Sequence, residues 1–207
     1  MRIAVSLMLA TTLWGICTVA QDDSLKLNVS KEGLTDEQLA IYRVVLNNYM
    51  KDSHGTLNLS NRTYPLELAG PLFDKECVEG IKLEVGDNSV PVVHAFSSAP
   101  ALSPNVVLVD PKKQEAKVKQ NDPQNLIKKA IDEREPVTND QLDKSVELAF
   151  TTGLFSLSEI IFDKGHRHAI VSYSFVCGRL CGHGNMLILE RNGERWKVKT
   201  TCGSWIS

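Results

Sequence analysis

Neither sign of charge dominates this chain: 23 lysines and arginines stand against 25 aspartates and glutamates, a formal net charge of −2 over 207 residues. A protein that holds nucleic acid through its phosphates needs a basic face or stripe, so the balance excludes an electrostatic nucleic-acid footprint. Long apolar runs are missing too. The one candidate, Ile3–Ala10 with Leu13–Ile16, is broken by Thr11 and Thr12 and falls short of the roughly 20 apolar residues a bilayer span requires. No basic amphipathic stretch suits a membrane surface. Catalytic signatures are equally scarce. The chain has no Gly-x-Ser-x-Gly elbow, no phosphate loop, no dinucleotide fingerprint and no His-Glu-x-x-His helix. No catalytic residue and no cofactor is therefore assigned. Internal repeats, low-complexity tracts and domain-scale linkers are also lacking, which leaves one domain as the simplest organisation.

The N-terminus carries the pattern of a secretory leader. Arg2 gives the basic start, the broken apolar stretch follows, and Thr18-Val19-Ala20 places small residues where a signal peptidase reads them. Residues 1–20 are read as a signal peptide cleaved after Ala20, leaving no transmembrane span and a secreted or periplasmic protein. Cys17 leaves with it; Trp14-Gly15-Ile16 does not match a lipoprotein site. Four cysteines remain, Cys77, Cys177, Cys181 and Cys202, and an even number behind an export signal favours disulfides. Sequons stand at Asn28, Asn58 and Asn61.

Residues 21–34 are polar and read as a flexible lead-in to a single α+β domain over 35–207. Thr35 with Gln38 forms a capping box, and Leu39, Tyr42, Leu46 and Tyr49 recur at helical spacing, widened by Ile41 and Val45. That stripe predicts a core-facing helix ending near Asp52. Residues 56–67 alternate as a strand broken by Pro65. Short strands are expected at 82–85 and 90–96, separated by a turn at Gly86-Asp87-Asn88, and a better one at 105–110. Residues 112–120 read as a charged, solvated face or loop. Asp122-Pro123 opens a helix, with Leu126, Ile127 and Ala130 on its apolar side. Thr138 and Gln141 cap another, with Leu142, Val146 and Ala149 on one face.

From Leu154 the pattern changes to a β-meander over 154–207. Ala169, Val171, Tyr173, Phe175 and Cys177 form the more apolar of two alternating faces and are expected to point inward. Asn192-Gly193 predicts a type I′ hairpin. That turn sets Arg191 opposite Glu194, Glu190 opposite Arg195, Leu189 opposite Trp196 and Leu187 opposite Val198. Extending the ladder places Asn185 against Thr200 and His183 against Cys202. The short Gly178-Arg179-Leu180 loop brings Cys177 opposite Cys181. Cys177, Cys181, His183 and Cys202 are thus expected at one end of the inward face, unless the glycines there introduce a bulge.

Directly opposed strand residues hold their Cβ atoms close enough for a disulfide, so a Cys177–Cys181 bond is the leading reading, with His183 packed beside it. A second pair of Cys77 and Cys202, or a bond from Cys202 to Cys177 or Cys181, remains open. A zinc site of Cys177, Cys181, His183 and Cys202 is the alternative, although the spacing is not a strong zinc signature. A redox pair is weaker, since no Cys-x-x-Cys opens a helix. His94, His166 and His168 are scattered, the last two flanking a turn.

The segments Leu157-Ser158-Glu159-Ile160, Cys177-Gly178-Arg179-Leu180-Cys181-Gly182-His183-Gly184, Trp196-Lys197-Val198 and Trp205-Ile206-Ser207 lie within residues 157–207, about a quarter of the chain. They resemble the C-terminal part of a group of uncharacterised exported bacterial proteins with a Cys-Gly-x-Leu-Cys-Gly-x-Gly hairpin motif. The resemblance implies export and no activity. The expected architecture is α+β, with N-terminal and central helices packed on an antiparallel sheet that ends in a C-terminal four-stranded meander. The leading functional expectation is a non-enzymatic binding or envelope-associated module whose partner the sequence does not name. The alternative is an enzyme using the Cys/His cluster, through a thiol nucleophile or a bound zinc.

Overall fold

Thr35 sets where the first helix begins. Its side-chain oxygen accepts the Gln38 backbone N–H at 3.2 Å, and the Gln38 side chain accepts the Thr35 N–H at 2.9 Å. This reciprocal pair satisfies donors that a helix start otherwise leaves bare. The computed structural model describes residues 27–51, 55–68, 75–84, 91–99 and 102–207. The expected signal peptide, residues 21–26 of the lead-in and the expected turn at 86–88 lie outside the described residues. The helix α1 spans Asp36–Tyr49, and Ile41, Tyr42, Val45 and Leu46 are fully buried along one face. Burying each such side chain contributes about 1.5–3 kcal/mol. The Tyr42 hydroxyl stays satisfied by donating to the Ser158 carbonyl at 2.8 Å.

The described part of the lead-in is not all loose. Asn28–Val29 (β1) pairs in parallel with Val92–Val93 (β3), because the unpaired backbone of an extended segment gains a ladder there. The main sheet has the order β4 (Val106–Val109), β2 (Leu57–Ser60), β5 (Leu154–Leu157), β7 (His168–Gly178), β8 (Cys181–Asn192) and β9 (Arg195–Ile206). A short β6 (Ile161–Phe162) also pairs with β7. Contacts of β2 with β4 and β5 are parallel, and from β5 onward the pairing is antiparallel. The fold is α+β, as the patterning predicts. The expected first strand of the meander is split into β5 and β6, since Ser158 turns aside to bridge Tyr64.

Alternation gives the sheet two unlike faces. Ala169, Val171, Tyr173, Phe175 and Cys177 join Phe155, Leu157, Leu187 and Leu189 under α1 and form the main core. Ile170, Met186, Ile188 and Cys202 point the other way and pack under Leu66, Cys77, Val78, Ile81 and Leu83. Farther along the same strands, this second face carries Ser172, Ser174 and, on β5, Ser156.

Residues 112–120, expected to be a solvated face or loop, are helical. The helix α2 spans Pro111–Gln120, capped by Asp110, whose carboxylate accepts the Lys113 N–H at 2.9 Å. Asp110-Pro111 is the same cap-and-proline signature as Asp122-Pro123. Only Gln114 and Val118 are buried in it, so no apolar stripe announces the helix. The next helices are α3 (Pro123–Glu133) and α4 (Asn139–Thr152), the latter with the expected Thr138–Gln141 capping box. Their apolar faces are poorly covered: α3 buries no residue fully and α4 only Ala149.

Both C-terminal hairpins depart from the expected register. At the tip of β7–β8, Gly178 rather than Cys177 faces Cys181, across an irregularity that follows Val176. In the last hairpin Asn192 faces Arg195 and Leu189 faces Val198, so the turn is centred on Gly193-Glu194. Gly193 has positive φ and Glu194 does not, which suits a turn with glycine at its first central position. Register shifts then follow between Ile188 and Leu189 and between Asn185 and Leu187. A one-residue slip moves every later side chain to the opposite face. Cys202 is accordingly turned onto the second face, and His183 lies opposite Ile206 rather than Cys202.

Candidate functional site

At the tip of the β7–β8 hairpin, Cys177 and Cys181 are joined by a disulfide with Cα atoms 5.0 Å apart, and Cys77 is joined to Cys202 with Cα atoms 5.7 Å apart. The four-residue cluster expected on the inward face is therefore not assembled. Cys177, Cys181 and His183 share that end, whereas Cys202 has been carried to the other side by the bulges. His183 stacks on Tyr49 with ring centroids 5.7 Å apart, and burial pushes its pKa below the usual imidazole value. Tyr49, in the same aromatic group, is pushed up to about 12, first by burial and then by Tyr173. The disulfide and His183 line a cavity of about 520 Å³ with Ile127, Val146, Phe150, Leu180 and Ile206.

His94, His166 and His168 each have a carboxylate partner. His94 Nδ1 lies 2.9 Å from Glu159, whose other oxygen accepts the His94 backbone N–H at 2.8 Å and also meets the Thr63 hydroxyl. His166 meets Glu37 at 3.1 Å while stacking on Phe162, and His168 meets Asp163 at 3.1 Å. Asp163 also accepts the backbone N–H groups of Arg167 and His168. These pairs tie loops to strands, and none borders the larger cavities.

The second face of the sheet holds the more polar arrangement. Ser156 faces Ser174 across the β5–β7 ladder, and Ser172 stands two residues away on the same side. Tyr64 donates its hydroxyl to Ser172 at 3.1 Å, and burial raises its pKa against the opposing pull of Ser172 and Ser174. A cavity of about 430 Å³ lies over these hydroxyls, walled by Tyr64, Leu66, Glu67, Met186 and Trp205. A second cavity, of about 420 Å³, is walled by Glu115, Val118 and Lys119 of α2 and by Asp122 and Arg179. Ser156 and Ser174 line both. The two adjoin at these hydroxyls and make a groove with an aromatic end and a charged end, whose sheet side at the charged end also carries Leu154, Val176 and Gly178.

Trp205 is held at its wall by a missing side chain. It lies opposite Gly184, and its indole fills the space that a Cβ at 184 would need, while the Tyr173 carbonyl oxygen would stand 2.6 Å from that atom. Only glycine leaves this close approach open. At the other end Asp122 is nearly fully buried and works twice. It caps α3 by accepting the Gln124 N–H at 3.0 Å, and it takes the Arg179 backbone N–H at 3.1 Å and Nε at 2.8 Å. The groove's charged end and the disulfide-closed tip are thereby fixed to one carboxylate.

Burial alone would raise Asp122 and Asp163, but the hydrogen bonds each accepts, from Arg179 and Gln124 in one case and His168 and Arg167 in the other, hold both below the ordinary carboxylate range. A folded-state pKa below the unfolded value of about 3.9 means the unfolded chain binds more protons in acid. Their stabilisation is complete above that value and is lost as pH falls through the folded pKa. Urea midpoints are expected to drop below about pH 4, and less steeply in Asp122→Asn, which keeps a capping oxygen but cannot titrate. Equal acid limbs in the two proteins would remove Asp122 from this account.

Sequence reasoning placed the site among the cysteines and passed over Ser156, Ser172, Ser174, Tyr64, Trp205, Lys119 and Arg179. The available signal was the outward positions of β7, where Ser172 and Ser174 occupy what the alternation marks as the less apolar face. No family model, no curated protein and no solved structure matches this chain. Among the described residues, no helix is long and apolar enough to cross a membrane.

Proposed function

We propose that this chain is an exported, non-enzymatic binding module that lays a polyhydroxylated chain, an oligosaccharide, along the groove on the second face of its sheet. The observation that carries the reading is the cluster of hydroxyls where the cavities meet: Ser156 and Ser174 belong to both, with Ser172 and the Tyr64 hydroxyl beside them and Trp205 as the wall. Each hydroxyl both donates and accepts, so such a cluster exchanges hydrogen bonds with sugar hydroxyls in many settings. An indole face covers the apolar C–H side of a sugar ring while leaving its own N–H a partner. The cavity volumes fall in the range of sites for small ligands, which are mainly apolar walls with a few placed polar groups. Export is supported by the leader pattern, by the resemblance carried on the Cys177–Gly184 motif, and by two disulfides, which persist in oxidising compartments.

The alternative, a thiol or zinc enzyme at the tip, is weakened by the geometry. Cys177 and Cys181 spend their sulfurs on each other, Cys202 is bonded to Cys77 on the opposite face, and His183 has aromatic neighbours and, among the described residues, no carboxylate partner. The test of the binding reading is calorimetric titration of the mature protein, whose first residue on this reading is Gln21, with neutral and acidic oligosaccharides. Trp205→Ala is expected to weaken binding at least about tenfold, the cost of losing one well-placed aromatic contact. Wild-type protein that takes up no oligosaccharide, or a Trp205→Ala variant with unchanged affinity, would overturn it.

A further inference from the structure

One end of the groove is bounded by a helix of unusual charge. The sequence of α2, Pro111–Gln120, holds Lys112, Lys113, Lys117 and Lys119 against a single Glu115, in a chain whose overall balance is slightly acidic. All four lysines are exposed, and among the described residues none of them forms an ion pair. The contrast with α3 is direct: there Lys128 pairs with Asp132 at 2.6 Å and Lys129 with Glu133 at 3.8 Å. Unpaired like charges on one short helix repel each other and raise the local positive potential, a cost that an anionic ligand removes.

Within the cavity itself the charges are uneven in availability. Lys119 and Arg179 line it together with Glu115 and Asp122. Asp122 is already consumed by three donated hydrogen bonds, two of them from Arg179. Arg179 uses Nε on Asp122 and Nη2 on Asn125, and its side chain remains 60 % exposed. A guanidinium has five N–H donors, so its outer edge is still open to a second anion. Glu115 is the one uncompensated negative group, set against Lys119 inside and three further lysines along the same helix.

We infer that the oligosaccharide held in this groove is acidic, with an anionic substituent (a carboxylate, sulfate or phosphate) lodged between Lys119 and the free edge of Arg179. This rests on the reading of the groove as a glycan site and adds the class of glycan. The Trp205–Tyr64 end takes an uncharged sugar face, the serine cluster takes ring hydroxyls, and α2 supplies the field that orients the chain along the groove. Because the lysines are solvated, the contribution is screened by salt.

The experiment titrates an oligogalacturonate and a neutral malto-oligosaccharide of equal length into the mature protein, at low and at raised ionic strength. The acidic oligomer is expected to bind about tenfold tighter at low salt and to lose most of that advantage at high salt, when the Debye length shrinks. The double variant Lys117→Gln/Lys119→Gln, both positions being exposed, is expected to erase the preference for the acidic oligomer without changing the melting temperature. A third arm uses sulfated and phosphorylated sugars to distinguish the source of the anion. Equal binding of acidic and neutral oligomers, or an unaltered preference in the double variant, overturns this inference while leaving the glycan reading intact. Acidic binding that survives Trp205→Ala undiminished also overturns it, since the lysines would then act as a surface patch outside the groove. Failure of both oligomers to bind overturns the glycan reading itself.

Discussion

Replacing Cys77 and Cys202 together by serine is expected to lower the melting temperature by about 15 °C, roughly two and a half times the fall expected from the Cys177→Ser/Cys181→Ser pair. The reason is chain length between the linked residues. The first bond spans 125 positions and the second spans 4. On the loop-entropy account, constraining the unfolded chain contributes about 5 kcal/mol for the long loop and about 2 kcal/mol for the short one. For a domain of this size each kcal/mol corresponds to about 3 °C. The long bond also holds the 3-10 turn Lys75–Val78 against Ile170, Met186 and Ile188, so its loss loosens the second apolar cluster as well as the unfolded state. Thermal melts of both double variants at one pH check the ordering. Equal shifts, or a larger one for the short loop, would show that span is not what sets these contributions.

The fold was readable where a local rule has no strong competitor. The capping boxes at Thr35 and Thr138 put two helix starts in the right place, because side-chain oxygens either reach the third amide or leave it bare. The inward row from Ala169 to Cys177 was readable for the same kind of reason: five apolar residues at alternate positions mark the face turned to the main core. What was not readable depended on partners far away in sequence. The register shift at Lys199 has no signature in the sequence, yet it decides which face Cys202 occupies and hence which cysteine it meets; only the later shift is marked, by Gly203 with its positive φ. The helix α2 was missed because its evident feature, charge, says nothing about conformation, while the proline that starts it also ends a strand. The groove was hidden more deeply. Its floor comes from β5 and β7, its walls from Tyr64, α2 and the last strand, and a serine on a polar face is in isolation the most ordinary of observations. Only their convergence over one pair of cavities makes them a candidate site.

Placing a single methyl at Gly184 is expected to cost about 2–3 kcal/mol and to abolish oligosaccharide binding in the same stroke. The added Cβ would meet the Tyr173 carbonyl oxygen at 2.6 Å and overlap the Trp205 indole. Backbone cannot yield there without disturbing the β7–β8 pairing of Tyr173 with Asn185 and of Ser174 with Gly184, so the indole must leave the wall. Gly184→Ala is therefore expected to shift tryptophan emission, depress the urea midpoint and erase the calorimetric signal. Gly33→Ala, with nothing within 4 Å of the new atom, should behave as wild type to within about 0.5 kcal/mol. The double variant Gly184→Ala/Trp205→Ala separates the two contacts. If the indole accounts for most of the clash, the double variant is more stable than the sum of its parts by about 1 kcal/mol or more, the coupling expected of residues that touch. If the carbonyl accounts for it, the two costs add. A Gly184→Ala protein with native emission and native affinity would mean that Trp205 does not seat over the glycine, and the aromatic wall of the groove, with the glycan reading built on it, would fall.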